Sequence, residues 1–150
     1  MARWEEIAAA APDLAKRVRE VFEARKHKTL ATLRRDGSPR ISGIEVEFSE
    51  GEMWLGMMPG SLKAHDVLRD PRLAVHALSD DPPEDDPSAW SGDAKIAGRA
   101  SEVTNENAEG GHRFKIDLAE VVLTRVGSPP DHLLIESWHE GRGITRQERR

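Results

Sequence analysis

The chain contains no cysteine among its 150 residues. Disulfide bridges, thiolate metal sites and cysteine nucleophiles are therefore excluded. It also lacks an apolar run long enough to cross a bilayer, and Trp4, Glu5 and Glu6 stand where a signal peptide would carry basic residues and then an apolar core. These absences predict a cytosolic protein without a membrane partner.

A surplus of basic residues is missing as well. The formal net charge is -5 at pH 7, whereas a surface that binds the phosphate backbone of a nucleic acid needs a basic face. We therefore expect no DNA or RNA partner. The length suits one domain with a core of its own, and we predict a single domain over residues 1–150.

Familiar catalytic motifs are absent too. The sequence has no Gly-x-Ser-x-Gly elbow, no His-Glu-x-x-His zinc motif and no P-loop. Its six histidines are spread out without the spacing of metal ligands, and the acidic, proline-rich stretch at residues 80–93 is typical of a solvated loop. We therefore predict no metal site and no side-chain nucleophile.

Apolar residues recur at helical spacing near the N-terminus. Leu14, Val18, Val21 and Phe22 follow Pro12 and predict an amphipathic helix to about residue 25, within an N-terminal helical segment at residues 1–27. The pattern then becomes that of β-strands. The predicted strands cover residues 29–33, 44–49, 53–58, 73–78, 95–103, 120–126 and 132–138. Seven short strands with turn signals between them predict an antiparallel barrel or sandwich.

Three other segments carry weaker signals. Gly98 inside a strand suggests a β-bulge or a close backbone approach. Residues 105–114 indicate a broken helix or a loop, because Gly110 and Gly111 would be costly within a helix. Residues 142–150 are predicted to be a basic tail.

The stretch at residues 52–72 is the most informative part of the sequence. A predicted strand ends in a turn at Gly60 and Ser61, which opens a short helix with Lys63 in its first turn. Such a turn brings backbone N–H groups, a hydroxyl and an ammonium around one point, which suits a phosphate. The alternative is that Ser61 only caps the helix and Lys63 lies on a solvated face. His65 lies on the same helix, but we do not expect it to bind the phosphate.

The chain resembles the pyridoxamine 5'-phosphate oxidase-like split-barrel superfamily. The resemblance is carried by TLATLRRDGSPRISGIEVEF, MWLGMMPGSLKAHDVLRDPRLAVHAL, GDAKIAGRASEV and LLIESWHEGRG, from about Lys28 to Arg146. It is greatest to the actinobacterial branch of flavin- and deazaflavin-dependent oxidoreductases. It implies an antiparallel split β-barrel flanked by short helices, a homodimer with cofactor sites at the subunit interface, and hydride transfer by the cofactor to a small organic substrate.

The resemblance also implies roles for particular residues. Ser61 and Lys63 match the positions that hold the cofactor phosphate, with Gly60 in the turn before them. Gly56, Met57 and Met58 match the strand that runs beside the cofactor ring, although ordinary core packing or a dimer contact is the alternative for the methionines. Near the C-terminus, the implied residues are Trp138, placed close to the ring from the partner subunit, and Arg142 or Arg146 after it.

The chain departs from the pyridoxamine phosphate oxidases proper at two places. Those enzymes carry an arginine and a lysine on the second strand for the FMN phosphate, whereas this chain has Ile41 and Val46 at about those places, with Arg40 as a partial substitute. The C-terminal arginine and histidine that hold their substrate have no clear counterpart in residues 141–149. Oxidation of vitamin B6 is therefore not expected, and the smaller phosphate site favours the deazaflavin coenzyme F420 over FMN.

Two other functions remain open from the sequence. The same barrel is suited to non-catalytic binding of a cofactor or of haem, for which His139 near Trp138 is a candidate axial ligand. A dimer that has lost its cofactor is the third possibility, and the missing cations on the second strand support it.

Overall fold

Three α-helices and nine β-strands form within residues 1–104 and 110–150, the part of the chain that the computed structural model describes. The helices are α1 (Trp4–Ala10), α2 (Pro12–Ala24) and α3 (Leu62–Arg69), with a 3₁₀ turn at Pro87–Ala89. The strands are β1 (Lys28–Leu33), β2 (Pro39–Ile44), β3 (Val46–Ser49), β4 (Glu52–Met57), β5 (Arg72–Leu78), β6 (Asp93–Glu102), β7 (His112–Val126), β8 (Leu133–His139) and β9 (Gly143–Arg149).

The strands form an antiparallel split β-barrel, as predicted. Their order is β2-β1-β5-β6-β7-β4-β3, and β8 and β9 extend the sheet from β7. The barrel closes through the chain itself, because β2 pairs with β1 while β3, one residue later, pairs with β4. β2 ends at Ile44 and β3 begins at Val46, so the chain changes its pairing partner at Glu45. The strand that we predicted over residues 44–49 therefore includes the last residue of β2 and all of β3.

The helices cover part of the barrel. The prediction of α2 is confirmed, with Leu14, Val18 and Phe22 buried on one face. The N-terminal helical segment predicted at residues 1–27 consists of two helices, and α1 was not predicted as a separate helix because seven residues are too few for its period to be visible. Within the described residues, no helix is long and apolar enough to span a membrane.

Two predictions about the second half of the chain are wrong. Residues 143–149 form β9, hydrogen-bonded to β8, instead of a basic tail. The strand predicted from residue 120 begins at His112, so β7 covers 15 residues and pairs with β4, β6 and β8. The segment predicted as a broken helix or loop therefore ends before His112, and its residues 105–109 lie outside the described residues.

The prediction for Gly98 is confirmed. The β6–β7 register shifts between Ala97 and Gly98, and a Cβ atom at Gly98 would lie 2.0 Å from the carbonyl oxygen of Asp117. A side chain there would collide with backbone. Packing therefore requires glycine at position 98.

Candidate functional site

A cleft of about 850 Å³ lies against the outer surface of β2, β3, β4 and β7. It is lined by residues 27, 43–47, 54–59, 63 and 111–113, and we call it the barrel-side cleft. Side chains on β4 alternate across the sheet, so Met53, Leu55 and Met57 enter the core, whereas Trp54 and Gly56 belong to the outer face. The volume lies toward the upper end of the range of small-molecule pockets.

Two glycines leave the floor of the barrel-side cleft open. Gly43 on β2 and Gly56 on β4 are both exposed, and a Cβ atom added to either would meet no atom within 4 Å. Neither has the positive φ that favours glycine. Glycine within a strand is destabilising by roughly 0.5–1 kcal/mol relative to alanine. Neither packing nor backbone conformation therefore requires glycine at these positions, and the sheet surface between them is open to a ligand.

Helix α3 begins at the edge of this cleft. Gly60 has a φ of +69° in the preceding turn, and the Ser61 hydroxyl accepts a hydrogen bond from the Ala64 backbone N–H at 3.3 Å. Ser61 is therefore the N-cap of the helix. The Lys63 ammonium lines the cleft and donates to the Gly43 carbonyl oxygen at 2.6 Å. A positive charge thus lies beside the glycine floor, where it can meet an anionic group.

The opposite wall of the cleft comes from β7. The guanidinium carbon of Arg113 lies 3.8 Å from the centre of the Trp54 ring, and the Trp54 indole N–H donates to the Ser49 carbonyl oxygen at 2.9 Å. His112 stacks on Phe114 with ring centres 6.0 Å apart. Its Nδ1 atom is buried and makes no hydrogen bond among the described residues, and the Glu102 carboxylate lies 3.6 Å from it.

A buried carboxylate fixes α3 to the barrel. Asp66 Oδ2 accepts hydrogen bonds from the Thr32 hydroxyl at 2.8 Å and from Arg40 Nε at 2.7 Å, and its Oδ1 accepts from Arg69 at 3.2 Å. Burial raises the pKa of Asp66, but these hydrogen bonds lower it more, so the net pKa lies below its ordinary value. Asp66 therefore stays ionised and joins β1, β2 and α3.

Arg40 is occupied by this network. We predicted it as a cofactor ligand, but it does not line the barrel-side cleft. It lines a separate pocket of about 490 Å³ instead, together with Arg34, Arg35 and Arg69. Its ionic partner, Asp66, is 2% exposed. In this chain Arg40 serves first to hold α3 in place.

The other predicted site residues divide into two groups. Met57 and Met58 both line the barrel-side cleft, but Met57 is 5% exposed and belongs to the core, whereas Met58 is 78% exposed. Trp138 and Arg142 lie at the β8–β9 hairpin and do not line the cleft of their own chain. Their predicted contact with a cofactor across a dimer stays a prediction.

The structure also shows which histidines lie near the cleft. His139 Nε2 lies 3.0 Å from a carboxylate oxygen of Glu120, away from the cleft lining. His65 lines the pocket that contains Arg40. The histidines that line the barrel-side cleft are His27 and His112, which the sequence did not single out.

The comparison with protein families gives one match. The family model described as pyridoxamine 5'-phosphate oxidase matches residues 14–132. The matched residues include every residue that lines the barrel-side cleft, from His27 to Arg113. No curated protein matches the chain by sequence.

Solved structures with the same fold bind different molecules. A pyridoxamine 5'-phosphate oxidase-related, FMN-binding protein from Nostoc punctiforme PCC 73102 has a TM-score of 0.62 at 12% identity, over 100% of this chain and 98% of that one. PhzG from Burkholderia lata 383, in complex with tetrahydrophenazine-1-carboxylic acid, has a TM-score of 0.64 at 11% identity, over 97% and 92%. A heme binding protein from Mycobacterium smegmatis has a TM-score of 0.59 at 13% identity, over 91% and 87%. At these identities the likeness shows the fold alone.

Proposed function

The chain belongs to the pyridoxamine 5'-phosphate oxidase family, and from that premise we propose that its barrel-side cleft binds a flavin-type cofactor for an oxidoreductase reaction on a small organic molecule. A bound flavin or deazaflavin supplies hydride chemistry, while the protein supplies position, charge and exclusion of water. The structure of an FMN-binding protein of the same fold agrees with this choice of cofactor.

The glycine floor carries the proposal. Gly43 and Gly56 leave open space on the outer face of β2 and β4, so a flat ring can lie directly on the backbone. Met58 follows the end of β4, lines the cleft and is 78% exposed, so it offers an apolar contact to such a ring. A planar cofactor fits this floor better than a bulky, three-dimensional ligand.

The start of α3 supplies the charge that a phosphorylated cofactor requires. The Lys63 ammonium lies at the cleft edge, and the helix N-terminus behind it favours an anion. We propose Lys63 and the Ser61–Lys63 backbone as the phosphate site, with Gly60 shaping the turn. Because Arg40 is paired with Asp66 and does not line the cleft, the proposed phosphate site is small, which favours coenzyme F420 over FMN.

Titration of the purified protein with FMN and, separately, with coenzyme F420 tests the proposal. Tryptophan fluorescence and the absorption of the cofactor report binding independently. Micromolar or tighter binding of one of them is the expected result. If neither binds, the proposed function is wrong.

Lys63→Ala should weaken binding of the cofactor by about 1.5 to 3 kcal/mol, the range for a hydrogen bond to a charged group. The reason is the loss of the cation at the cleft edge. The dissociation constant is measured with the same titration. Lys95→Ala, an exposed lysine on β6 outside the cleft, is the control and should leave it unchanged. Equal binding by Lys63→Ala and the unmodified protein would contradict the phosphate assignment.

We also propose that the chain acts as a homodimer. Three large apolar side chains are exposed in this part of the chain: Ile41 on β2 at 74%, Met58 of the barrel-side cleft at 78%, and Leu62 of the pocket that contains Arg40 at 63%. Exposed apolar groups of this size suit a surface that a second subunit covers. Sedimentation equilibrium should give twice the monomer mass, and a monomer at micromolar concentration would contradict this proposal.

Haem binding is the second candidate, and His112 favours it. Its buried Nδ1 atom lacks a hydrogen-bond partner among the described residues, and the ring borders the cleft. Imidazole is a common axial ligand of haem iron. Titration with haemin would then give a Soret band that is lost in His112→Ala, whereas His139→Ala would keep it.

A further inference from the structure

The Arg113 guanidinium is held in place at one edge of the barrel-side cleft. It stacks on the Trp54 ring at 3.8 Å, and Trp54 is itself fixed by its hydrogen bond to Ser49 and is 6% exposed. Stacking uses the face of the guanidinium and leaves its N–H donors in the guanidinium plane. Such a group binds a carboxylate through two parallel hydrogen bonds, at little cost in side-chain entropy.

Charges are divided across the cleft. The strands lie in the order β3, β4, β7, and the paired residues Glu47, Trp54 and Lys115 form one row across them. In the next row, Arg113 of β7 is paired with Gly56 of β4. Of the charged residues that line the cleft, Glu47 lies on β3 and Arg113 lies on β7, about 10 Å apart at two strand spacings. An anion is attracted to the β7 edge and repelled from the β3 edge.

This cationic edge is distinct from the proposed phosphate site. Lys63 bonds to the carbonyl of Gly43 on β2, whereas Arg113 is on β7, which pairs with β4. A cofactor whose phosphate lies at Lys63 leaves the second cation for another ligand. The cleft volume of about 850 Å³ has room for a cofactor ring and a small molecule together.

We infer that the Arg113–Trp54 stack is the anchor for the substrate and that it selects planar aromatic carboxylates. The carboxylate binds the guanidinium, and the aromatic ring extends from it over the cofactor ring that lies on the glycine floor. Arg113 is thus a specificity-determining residue. This inference deepens the proposed function and rests on it for the assignment of the ligand as the substrate.

Calorimetric titration of the full-length protein with 2-naphthoate and with its neutral analogue 2-naphthamide tests the inference. The unmodified protein should bind the carboxylate about ten-fold more tightly than the amide. Arg113→Met keeps an apolar stem over Trp54 and should abolish this preference by weakening 2-naphthoate alone. Arg113→Lys keeps the charge but loses the planar guanidinium. Its preference for 2-naphthoate should lie between those of the unmodified protein and Arg113→Met.

Lys115→Met is the matched control, because it removes a neighbouring cation of β7 that does not line the cleft. It should retain the preference for 2-naphthoate. An equal loss in Lys115→Met, an unchanged preference in Arg113→Met, or no preference in the unmodified protein would each overturn the inference. Thermal unfolding checks that each variant is folded.

The cofactor titrations separate this inference from the proposed function. Binding of FMN or F420 without a preference for 2-naphthoate would overturn the inference alone. A preference that depends on Arg113, in a protein that binds neither cofactor, would support the carboxylate site and refute the proposed oxidoreductase.

Discussion

Asp66→Asn should lower the free energy of unfolding by about 3 kcal/mol, near the lower end of the range for removing one partner of a buried ion pair. The carboxylate is 2% exposed and accepts from Thr32, Arg40 and Arg69. The neutral amide leaves two guanidinium groups without their counter-charge. Their side chains are 21% and 30% exposed, so water screens part of the loss. Urea unfolding followed by tryptophan fluorescence measures the change.

Asp70→Asn is the matched control for this prediction. Asp70 also accepts hydrogen bonds from an arginine, Arg72, which lower its pKa to about 2. That pair lies at the surface, with the Arg72 side chain 62% exposed. Exposed pairs contribute little to stability, so the midpoint of unfolding should move much less than in Asp66→Asn. Similar midpoints for the two variants would show that the burial of Asp66 does not determine how much its ion pairs stabilise the protein.

The pH dependence gives a second test of Asp66. Its pKa in the folded protein is below the ordinary aspartate value of about 4, so the unfolded chain takes up a proton first as the pH falls. The contribution of the carboxylate is therefore complete above about pH 4 and is lost as the pH falls through the lower, folded pKa. The stability difference between the unmodified protein and Asp66→Asn should shrink below that pH. A difference that grows on acidification would contradict the assignment.

The sequence predicted those parts of the fold that depend on local patterns. Alternating apolar residues, turn glycines and the helix after Pro12 indicated an antiparallel barrel or sandwich with an N-terminal helix, and the resemblance narrowed this to the split barrel that the structure has. The errors have physical causes. Glu45 continues the alternation of its strand, so no local signal marks the change of partner there. The polar residues of β9 are exposed on both faces, so that strand has no apolar alternation to reveal it.

The sequence predicted only those residues of the candidate site that form a local pattern. Gly60, Ser61 and Lys63 form a local motif, which short-range reasoning can recognise, and Lys63 does line the cleft. Arg113 and His112 reach the cleft through the pairing of β7 with β4, which brings together residues that are more than 50 positions apart in the chain. Arg40 was assigned to the cofactor from the resemblance, as a partial substitute for the missing cations of the second strand. Its ion pair with Asp66, 26 positions later, is shown by no local pattern.

The strand glycines were the available signal for the cleft. A glycine inside a strand weakens it unless a close contact or a ligand requires the missing side chain. Gly98 satisfies the first condition, with 2.0 Å to backbone, and Gly56 does not. The sequence alone cannot distinguish these cases, since the difference lies in what faces each glycine.

Gly56→Leu should weaken binding of the cofactor on the order of 1,000-fold, about 4 kcal/mol. The new side chain would occupy the space in which we place the ring. The fold should remain intact, because a Cβ atom at this position meets nothing within 4 Å and the backbone φ suits any residue. Stability should even rise slightly, as leucine has the higher strand propensity. The measurements are the FMN and F420 titrations beside thermal unfolding.

Gly56→Ala provides the graded control, since a single methyl group fills much less of the cleft than leucine and should weaken binding far less. The combination of unchanged or higher stability with lost binding distinguishes a ligand floor from a packing requirement. If Gly56→Leu unfolds the protein, Gly56 has a structural role like that of Gly98. If the variant folds and binds the cofactor as before, the ring does not lie on β4, and the proposed site on the outer face of the barrel is wrong.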